Sequence, residues 1–144
     1  MRRAAALLAV AALAGCGGGS DEQGPRLSDA RVIRGWVAAL NVGDYVSAAS
    51  YFAPGALVQQ VGVFHLRSRA AAIAFNRSLP CKGRVTKVED EGRTTVATFS
   101  LSPGPLARPE SCERPVRVRF RIEGGKFKEW RQLIESPPAP GDVV

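Results

Sequence analysis

The side chains able to do chemistry in this sequence are one histidine, His65, three cysteines and a scatter of acids. His65 stands in Val63-Phe64-His65-Leu66, on or beside a strand. A neutral imidazole placed there, near Tyr51, would serve as a proton shuttle. The plainer reading is preferred: a partly exposed or hydrogen-bonded histidine with no catalytic role. A carboxyl works as acid, base or oxyanion donor only where apolar surroundings shift its pKa. Asp29 and Asp44 fall at helix starts, and Glu89, Asp90 and Glu91 fall at a turn. Glu110 and Glu113 belong to a proline-rich loop, Glu123 to a wet strand face, Glu135 and Asp142 to the end of the chain. Glu129 stays open, because a bulge near Trp130 turns it to either face. No serine stands in a nucleophile-elbow pattern and no phosphate-cradling loop is present. No catalytic residue is assigned, and no cofactor is expected.

The cysteines divide into one and two. Arg2 and Arg3 precede an apolar run from Ala4 to Ala14, far short of the roughly 20 residues that span a bilayer. A basic start and a short apolar run are the plan of a secretory signal. The run ends in Leu13-Ala14-Gly15-Cys16, which looks like a bacterial lipobox. Small residues before the cysteine suit a peptidase cleft, and the Cys16 thiol accepts a diacylglycerol. Residues 1–15 are therefore read as a lipoprotein signal peptide. Residues 16–27, opening on Gly17-Gly18-Gly19-Ser20, are read as a flexible tether anchored by lipid. That places the protein in the bacterial cell envelope, at the outer face of a membrane. An exported chain meets oxidising conditions, so Cys81 and Cys112 are expected to form a disulfide. With both cysteines spent and one imidazole left, no metal site is expected.

The elements that must position these groups follow from periodicity. Ser28 opens a helical pattern in which Ile33, Trp36, Val37 and Leu40 share one face. Asp44 caps a second helix with Tyr45, Ala48, Ala49 and Phe52 on its apolar side, and Ala53-Pro54-Gly55 ends it. Residues 56–66 read as extended, with Gly62 as turn or bulge. Ser68 caps a third helix carrying Ala72, Phe75 and Leu79, closed by Pro80. Strands follow at Arg84–Glu89 and Thr94–Leu101, joined by a turn at Asp90-Glu91-Gly92-Arg93. Three prolines make residues 102–114 a long loop that Cys112 would pin to Cys81. Val116, Val118, Phe120 and Ile122 then alternate with Arg117, Arg119, Arg121 and Glu123, one face buried and one wet. Gly124-Gly125 leads to a last strand, Lys126 to Ile134, and residues 136–144 are a proline-rich tail read as disordered.

A length of 144 residues allows one domain, and 45% apolar against 23% charged residues fits a globular core. The class is α+β: three helices toward the N-terminus covering an antiparallel sheet of about four to six strands. The order resembles the nuclear transport factor 2-like superfamily, which includes the SnoaL-like polyketide cyclases. The likeness lies in Trp36-Val37-Ala38-Ala39-Leu40 with Gly43-Asp44, then Ala48-Ala49 and Tyr51-Phe52-Ala53. It continues in Val118 to Ile122, Gly125-Lys126-Phe127 and Glu129-Trp130-Arg131, within a domain spanning 28–135. The resemblance implies a cone, a strongly curved sheet with a hollow under the helices. It also implies a small apolar ligand in that hollow and homodimers formed through the sheet.

Three functions are weighed on this basis. The first is a non-catalytic, lipid-anchored module holding a small apolar ligand in the cone. Its pocket candidates are Trp36, Tyr51, Phe52, His65, Phe75, Phe99, Phe120 and Trp130, although the same aromatics would also make an ordinary core. The second is an isomerase, dehydratase or hydrolase using His65. The third is an interaction module in which Arg117, Arg119 and Arg121 dock on a protein or envelope polymer. A solvated face, or a dimer surface with acids across it, is the plainer account of those arginines. The formal charge of +7 does not argue for nucleic acid in an exported chain.

Overall fold

In the computed structural model, which describes residues 24–134, helix α1 (Gly24–Asn41) begins ahead of the expected cap at Ser28. Ser28 is therefore an interior helical position, and residues 24–27 are helical where a tether was expected. Pro25 is no obstacle, since amides in a first turn have no partner within the helix. The segment expected to be a signal peptide, Cys16 and the tail at 136–144 lie outside the described residues. The apolar face of α1 is as the spacing predicts: Ile33, Trp36 and Val37 are buried and Leu40 is half-buried.

Helix α2 (Tyr45–Ala49) is capped by Asp44, whose Oδ1 accepts a hydrogen bond from the Ser47 amide at 3.0 Å. It stops earlier than its apolar pattern implied. Phe52 opens a strand, and Ala53-Pro54-Gly55 lies within that strand instead of ending the helix. Strand β1 (Phe52–Gln59) turns back through residues 60–62 into β2 (Val63–Leu66). Helix α3 (Arg69–Ser78) has the expected cap, with Ser68 Oγ accepting from the Ala71 amide at 3.1 Å. Four strands follow: β3 (Cys81–Glu91), β4 (Thr94–Pro103), β5 (Val116–Glu123) and β6 (Lys126–Leu133). A single 3-10 turn, Pro109–Cys112, interrupts the long loop between β4 and β5.

The six strands form one curved, unclosed sheet in the order β2-β1-β6-β5-β4-β3. One junction departs from the antiparallel expectation: β1 and β6 run parallel. Tight turns oblige β3 and β4, and β5 and β6, to run antiparallel, and β4 and β5, joined by the long loop, also pair antiparallel. No turn joins β1 to β6, so their relative direction is free to be set by how the helices deliver β1. The β1–β6 register slips between Phe52 and Leu57. Pro54 has no amide to offer there and Gly55 takes a φ of 75°, so the ladder breaks into a bulge.

The helices cover the concave face, and the core sits between them and the sheet. Its centre is Trp36, 3% exposed, with the rings of Phe52, Phe99, Phe120, Phe127 and Trp130 at centroid distances of 5.6–6.4 Å. All five meet it edge-on, the favourable geometry for aromatic quadrupoles. Tyr51 lies across Gly35 of α1, where a Cβ would come within 2.4 Å of the phenol oxygen. Its ring stacks on Phe127 instead of reaching toward His65.

Trp36 Nε1 donates to the fully buried Asn76 of α3 at 2.8 Å, and Asn76 Nδ2 donates in turn to the Ala72 carbonyl at 2.7 Å. The pair ties α1 to α3 inside the core. Asn76→Ala strands the indole N–H, which costs about 1–3 kcal/mol. Urea unfolding should show that loss, and Asn76→Asp should not recover it, because a carboxylate at this fully buried position has no cation beside it and gives up the bond to Ala72.

Candidate functional site

The hollow is only partly filled. The aromatic cluster occupies its middle, and a cavity of about 200 Å³ remains toward the C-terminal half of α1. Trp36, Val37 and Leu40 come from the helix, and Phe99, Leu101, Val116, Val118 and Trp130 from the sheet. Leu79 and Pro80 follow α3, and Cys81 and Ser111 bring the disulfide and the long loop to the rim. Cys81 and Cys112 are joined, the pairing expected of the two cysteines left after Cys16. The bond fastens the loop around Ser111 to the edge strand β3.

Gly83 gives the cavity part of its room. A Cβ there would sit at ordinary contact distance, 3.7–3.9 Å, from Phe99, Val37 and Leu101. The same glycine is gripped from outside the sheet. Asn41, the last residue of α1, donates to the Gly83 carbonyl at 2.8 Å and accepts from its amide at 3.0 Å. An edge strand is thereby satisfied by a helix terminus. In the sequence Asn41 signals only a helix end; nothing local announces its partner 42 residues on.

The polar groups of the cavity are few. Gln60 and Gln132 touch through Gln60 Nε2 and Gln132 Oε1 at 3.3 Å. Trp130 is 3% exposed, and its indole N–H is buried with no hydrogen-bond partner. A buried orphan donor of this kind costs about 1–3 kcal/mol, so such groups are uncommon in folded proteins. Among the described residues that line the cavity there is no acid, no histidine and no cation.

Of the expected pocket residues, Trp36, Phe99 and Trp130 do line this cavity. Phe52, Phe75 and Phe120 are packed into the core. His65 is elsewhere. It is exposed, pairs across the ladder with Leu57, and sits at 3.0 Å through Nδ1 from the Gly55 carbonyl. Leu57 in turn pairs with Glu129 and Glu129 with Arg121, so His65 belongs to the convex face. The expectation of an imidazole lining the hollow is overturned by strand parity. Phe64 and Leu66 flank it, and Leu66 is the residue turned inward, 3% exposed.

The convex face also decides Glu129. Between β5 and β6 the register shifts at Arg121/Ile122, leaving Lys128 as the extra residue. Phe127 and Trp130 can then both be buried although three positions apart, and Glu129 turns outward. Its carboxylate lies 3.1 Å from Arg121 Nε and 2.8 Å from Arg131 Nε. The Arg131 hydrogen bond above all, with Arg121 helping, holds the Glu129 pKa below the usual glutamate range against the opposing effect of burial. A depressed carboxylate stabilises the fold above its unfolded pKa, about 4.3, and that contribution disappears as pH falls through the depressed value. Stability should therefore drop on acidification, and Glu129→Gln should flatten that part of a pH–Tm curve.

The three arginines of β5 do line one face, but each is already engaged. Arg117 meets Glu89 at 3.6 Å, Arg119 meets Glu91 at 3.0 Å, and Arg121 meets Glu123 at 2.6 Å as well as Glu129. Arg131 also donates to Gln59 at 2.6 Å. The stripe is a mixed-charge lattice and not a free cationic surface. Exposed pairs of this type contribute only about 0–1 kcal/mol each. Asp29 is the other displaced acid. Past the helix start, it accepts from Thr95 Oγ1 at 2.8 Å. Burial chiefly, and Asp90 nearby, raise its pKa, while the Thr95 hydroxyl works the other way.

Comparison with known structures fits this geometry. A nuclear transport factor 2-like protein of unknown function from Cytophaga hutchinsonii superposes with a TM-score of 0.60 at 11% identity, over 74% of this chain and 89% of that one. A candidate ketosteroid isomerase from Kribbella flavida gives 0.56 at 17% identity, over 83% and 89%. An LEH-like epoxide hydrolase from M. tuberculosis gives 0.57 at 17% identity, over 75% and 79%. No protein-family model and no curated protein matches the sequence. The chain has the nuclear transport factor 2-like fold, of the α+β class its element order gave and the cone shape the resemblance implied. At these identities the likeness is one of fold, and the same fold carries unrelated activities.

Proposed function

We propose that this protein is a lipid-anchored module at the outer face of a bacterial membrane, whose cone binds a small apolar molecule without transforming it. The observation that carries the binding part is the cavity of about 200 Å³, walled by aliphatic and aromatic side chains. A concave apolar space with a few polar groups is the usual form of a small-ligand site. The non-catalytic part rests on the described lining, which offers no group able to exchange a proton with a substrate near neutral pH. The enzyme reading was built on His65, and that residue stands on the opposite face of the sheet. The anchoring part rests on Leu13-Ala14-Gly15-Cys16 and the apolar run before it.

Native mass spectrometry of the protein isolated from the cell envelope tests these claims together. A non-covalent adduct that survives gentle ionisation and leaves on denaturation is the expected result for a ligand-holding cone. Protein that is bare under every gentle condition removes the binding claim. A covalent mass increment equal to a diacylglycerol, absent from Cys16→Ser, is expected for the anchor. Pairing of two copies through the convex face would show in the same spectra as a doubled mass.

A further inference from the structure

We propose that a second cleft, at the end of the cone where α1 begins, binds the phosphate of an anionic phospholipid headgroup in the membrane that carries the chain. The inference adds a site to the anchored reading above and rests on that anchor for the source of the lipid. The cleft lies between the start of α3 and the start of β1 and has a volume of about 390 Å³. Arg67, Arg69 and Lys126 stand around it, all three exposed. The described lining holds no acid, and Ala49, Phe52, Ala53, Leu66 and Ala72 give it an apolar floor.

These cations differ from those of the convex face. Arg117, Arg119, Arg121 and Arg131 each have a carboxylate within 3.6 Å. Arg67 and Arg69 have none among the described residues. Lys126 donates to the Ser50 carbonyl, so that oxygen is not left bare to repel an anion. Glu123, opposite Lys126 in the β5–β6 ladder, is turned to Arg121 at 2.6 Å. Ser68 Oγ accepts from the Ala71 amide and keeps its own hydrogen to donate. Two guanidinium forks and an ammonium are suited to a group whose negative charge is spread over several oxygens. The apolar floor suits the glycerol and acyl stem that a lipid brings and a free ion lacks.

The position of the cleft points to the source. Phe52 and Lys126, the first residues of β1 and β6, line it together with Leu66, the last residue of β2. Strands β1, β4 and β6 run in one direction, so their first residues lie at a common end of the sheet. Helix α1 starts at that end, since Asp29 in its second turn is bonded to Thr95 at the start of β4. Its last residue, Asn41, holds Gly83 at the opposite end. Gly24 comes eight residues after Cys16, a stretch that spans about 29 Å at most. The helix itself is about 27 Å long. The opposite end of the cone would reach the same membrane only with the intervening chain drawn out almost fully, whereas the cleft end is within easy reach.

The test uses three water-soluble probes: dihexanoylphosphatidylglycerol and dihexanoylphosphatidylcholine, each below its micelle concentration, and inorganic phosphate. The full chain carrying Cys16→Ser, with its disulfide intact, is labelled with ¹⁵N and titrated by NMR, read at the amides of residues 67–70. The phosphatidylglycerol should shift these amides and bind tightest of the three. The choline lipid has no net charge and should bind about tenfold more weakly, the factor that one charge-assisted hydrogen bond supplies. Arg67→Gln with Arg69→Gln should weaken phosphatidylglycerol binding by about the same factor or more. Lys82→Gln with Arg84→Gln removes equal charge at the opposite end of the sheet and should leave binding unchanged.

Equal binding of the two lipids overturns the choice of an anionic headgroup. Inorganic phosphate bound at these amides as tightly as the phosphatidylglycerol makes the cleft a site for a free ion and overturns the lipid. Equal losses in the two double variants reduce the effect to overall charge and overturn the site. Shifts confined to the cavity beside Trp36, or no shift in a chain folded by its own spectrum, overturn it as well. None of the probes needs the lipid on Cys16, so such a failure leaves the anchor to be judged by its own mass increment. A missing increment, with the phosphatidylglycerol bound as expected, would overturn the membrane as the source and leave the cleft standing.

Discussion

Trp36→Ala will destabilise the protein by about 3–5 kcal/mol, the usual loss when a large aromatic is removed from a packed core. Three separate losses converge at this position. Five aromatic rings lose their common edge-on partner. The buried Asn76 loses the donor that satisfies its Oδ1. The wall between the core and the cavity disappears, since Trp36 belongs to both. Urea unfolding followed by far-UV circular dichroism measures the effect. Trp36→Phe should lose less, because it keeps a ring in the cluster and gives up the hydrogen bond. A loss under about 1 kcal/mol for the alanine variant would mean that the cluster is not the centre of the core.

Removing the disulfide should cost nearly as much. Cys81 and Cys112 are 31 residues apart, and in the chain-entropy treatment closing a loop of that length contributes about 3.5–4 kcal/mol. Cys81→Ser with Cys112→Ser should therefore lower Tm by on the order of 10–20 °C. Calorimetry of oxidised and reduced wild-type protein gives the same comparison without mutation. The location adds a second consequence. Cys81 and Ser111 both stand at the cavity rim, so the bond fixes one wall of the binding space. Reduction should weaken binding of a cavity ligand as well as stability, whereas Glu129→Gln, on the opposite face, should leave binding unchanged. An unaltered Tm after complete reduction, confirmed by thiol titration, would mean that the loop is held by its other contacts.

Both effects bear on the cavity, which Trp36 and Cys81 both line. The disulfide, the Asn41–Gly83 grip and the loop after β4 gather around one opening. The convex face, by contrast, is a lattice of charges that satisfies itself. Arg117, Arg119 and Arg121 attract attention as a stripe only while their partners are out of sight. Glu89 and Glu91 come from β3, two strands away, and reach the arginines across the intervening β4.

The local features were legible from the chain alone. The spacing of Ile33, Trp36, Val37 and Leu40 marks the buried stripe of α1, because a helix repeats every 3.6 residues whatever it packs against. Asp44 and Ser68 cap helices because their oxygens satisfy amides three residues on, a contact that needs no tertiary partner. The alternation from Val116 to Glu123 separates wet from dry, and the two cysteines pair. Even His65 carried its own signal: apolar Phe64 and Leu66 beside it on an alternating strand turn it away from the core.

What only the tertiary structure decided depends on pairing between distant segments. The extra residue at Lys128 sends Glu129 outward and lets Phe127 and Trp130 both face in, and no single-strand pattern contains that shift. The parallel union of β1 with β6 needs the helices to deliver one strand to the other. Asn76 and Asn41 carry no local sign of the partners that meet them from 40 and 42 residues away. The cavity itself is a shortfall of volume between α1 and the sheet. Periodicity says which side chains face inward, but how well they fill the space is set by the curvature of the sheet and the distance of the helix from it.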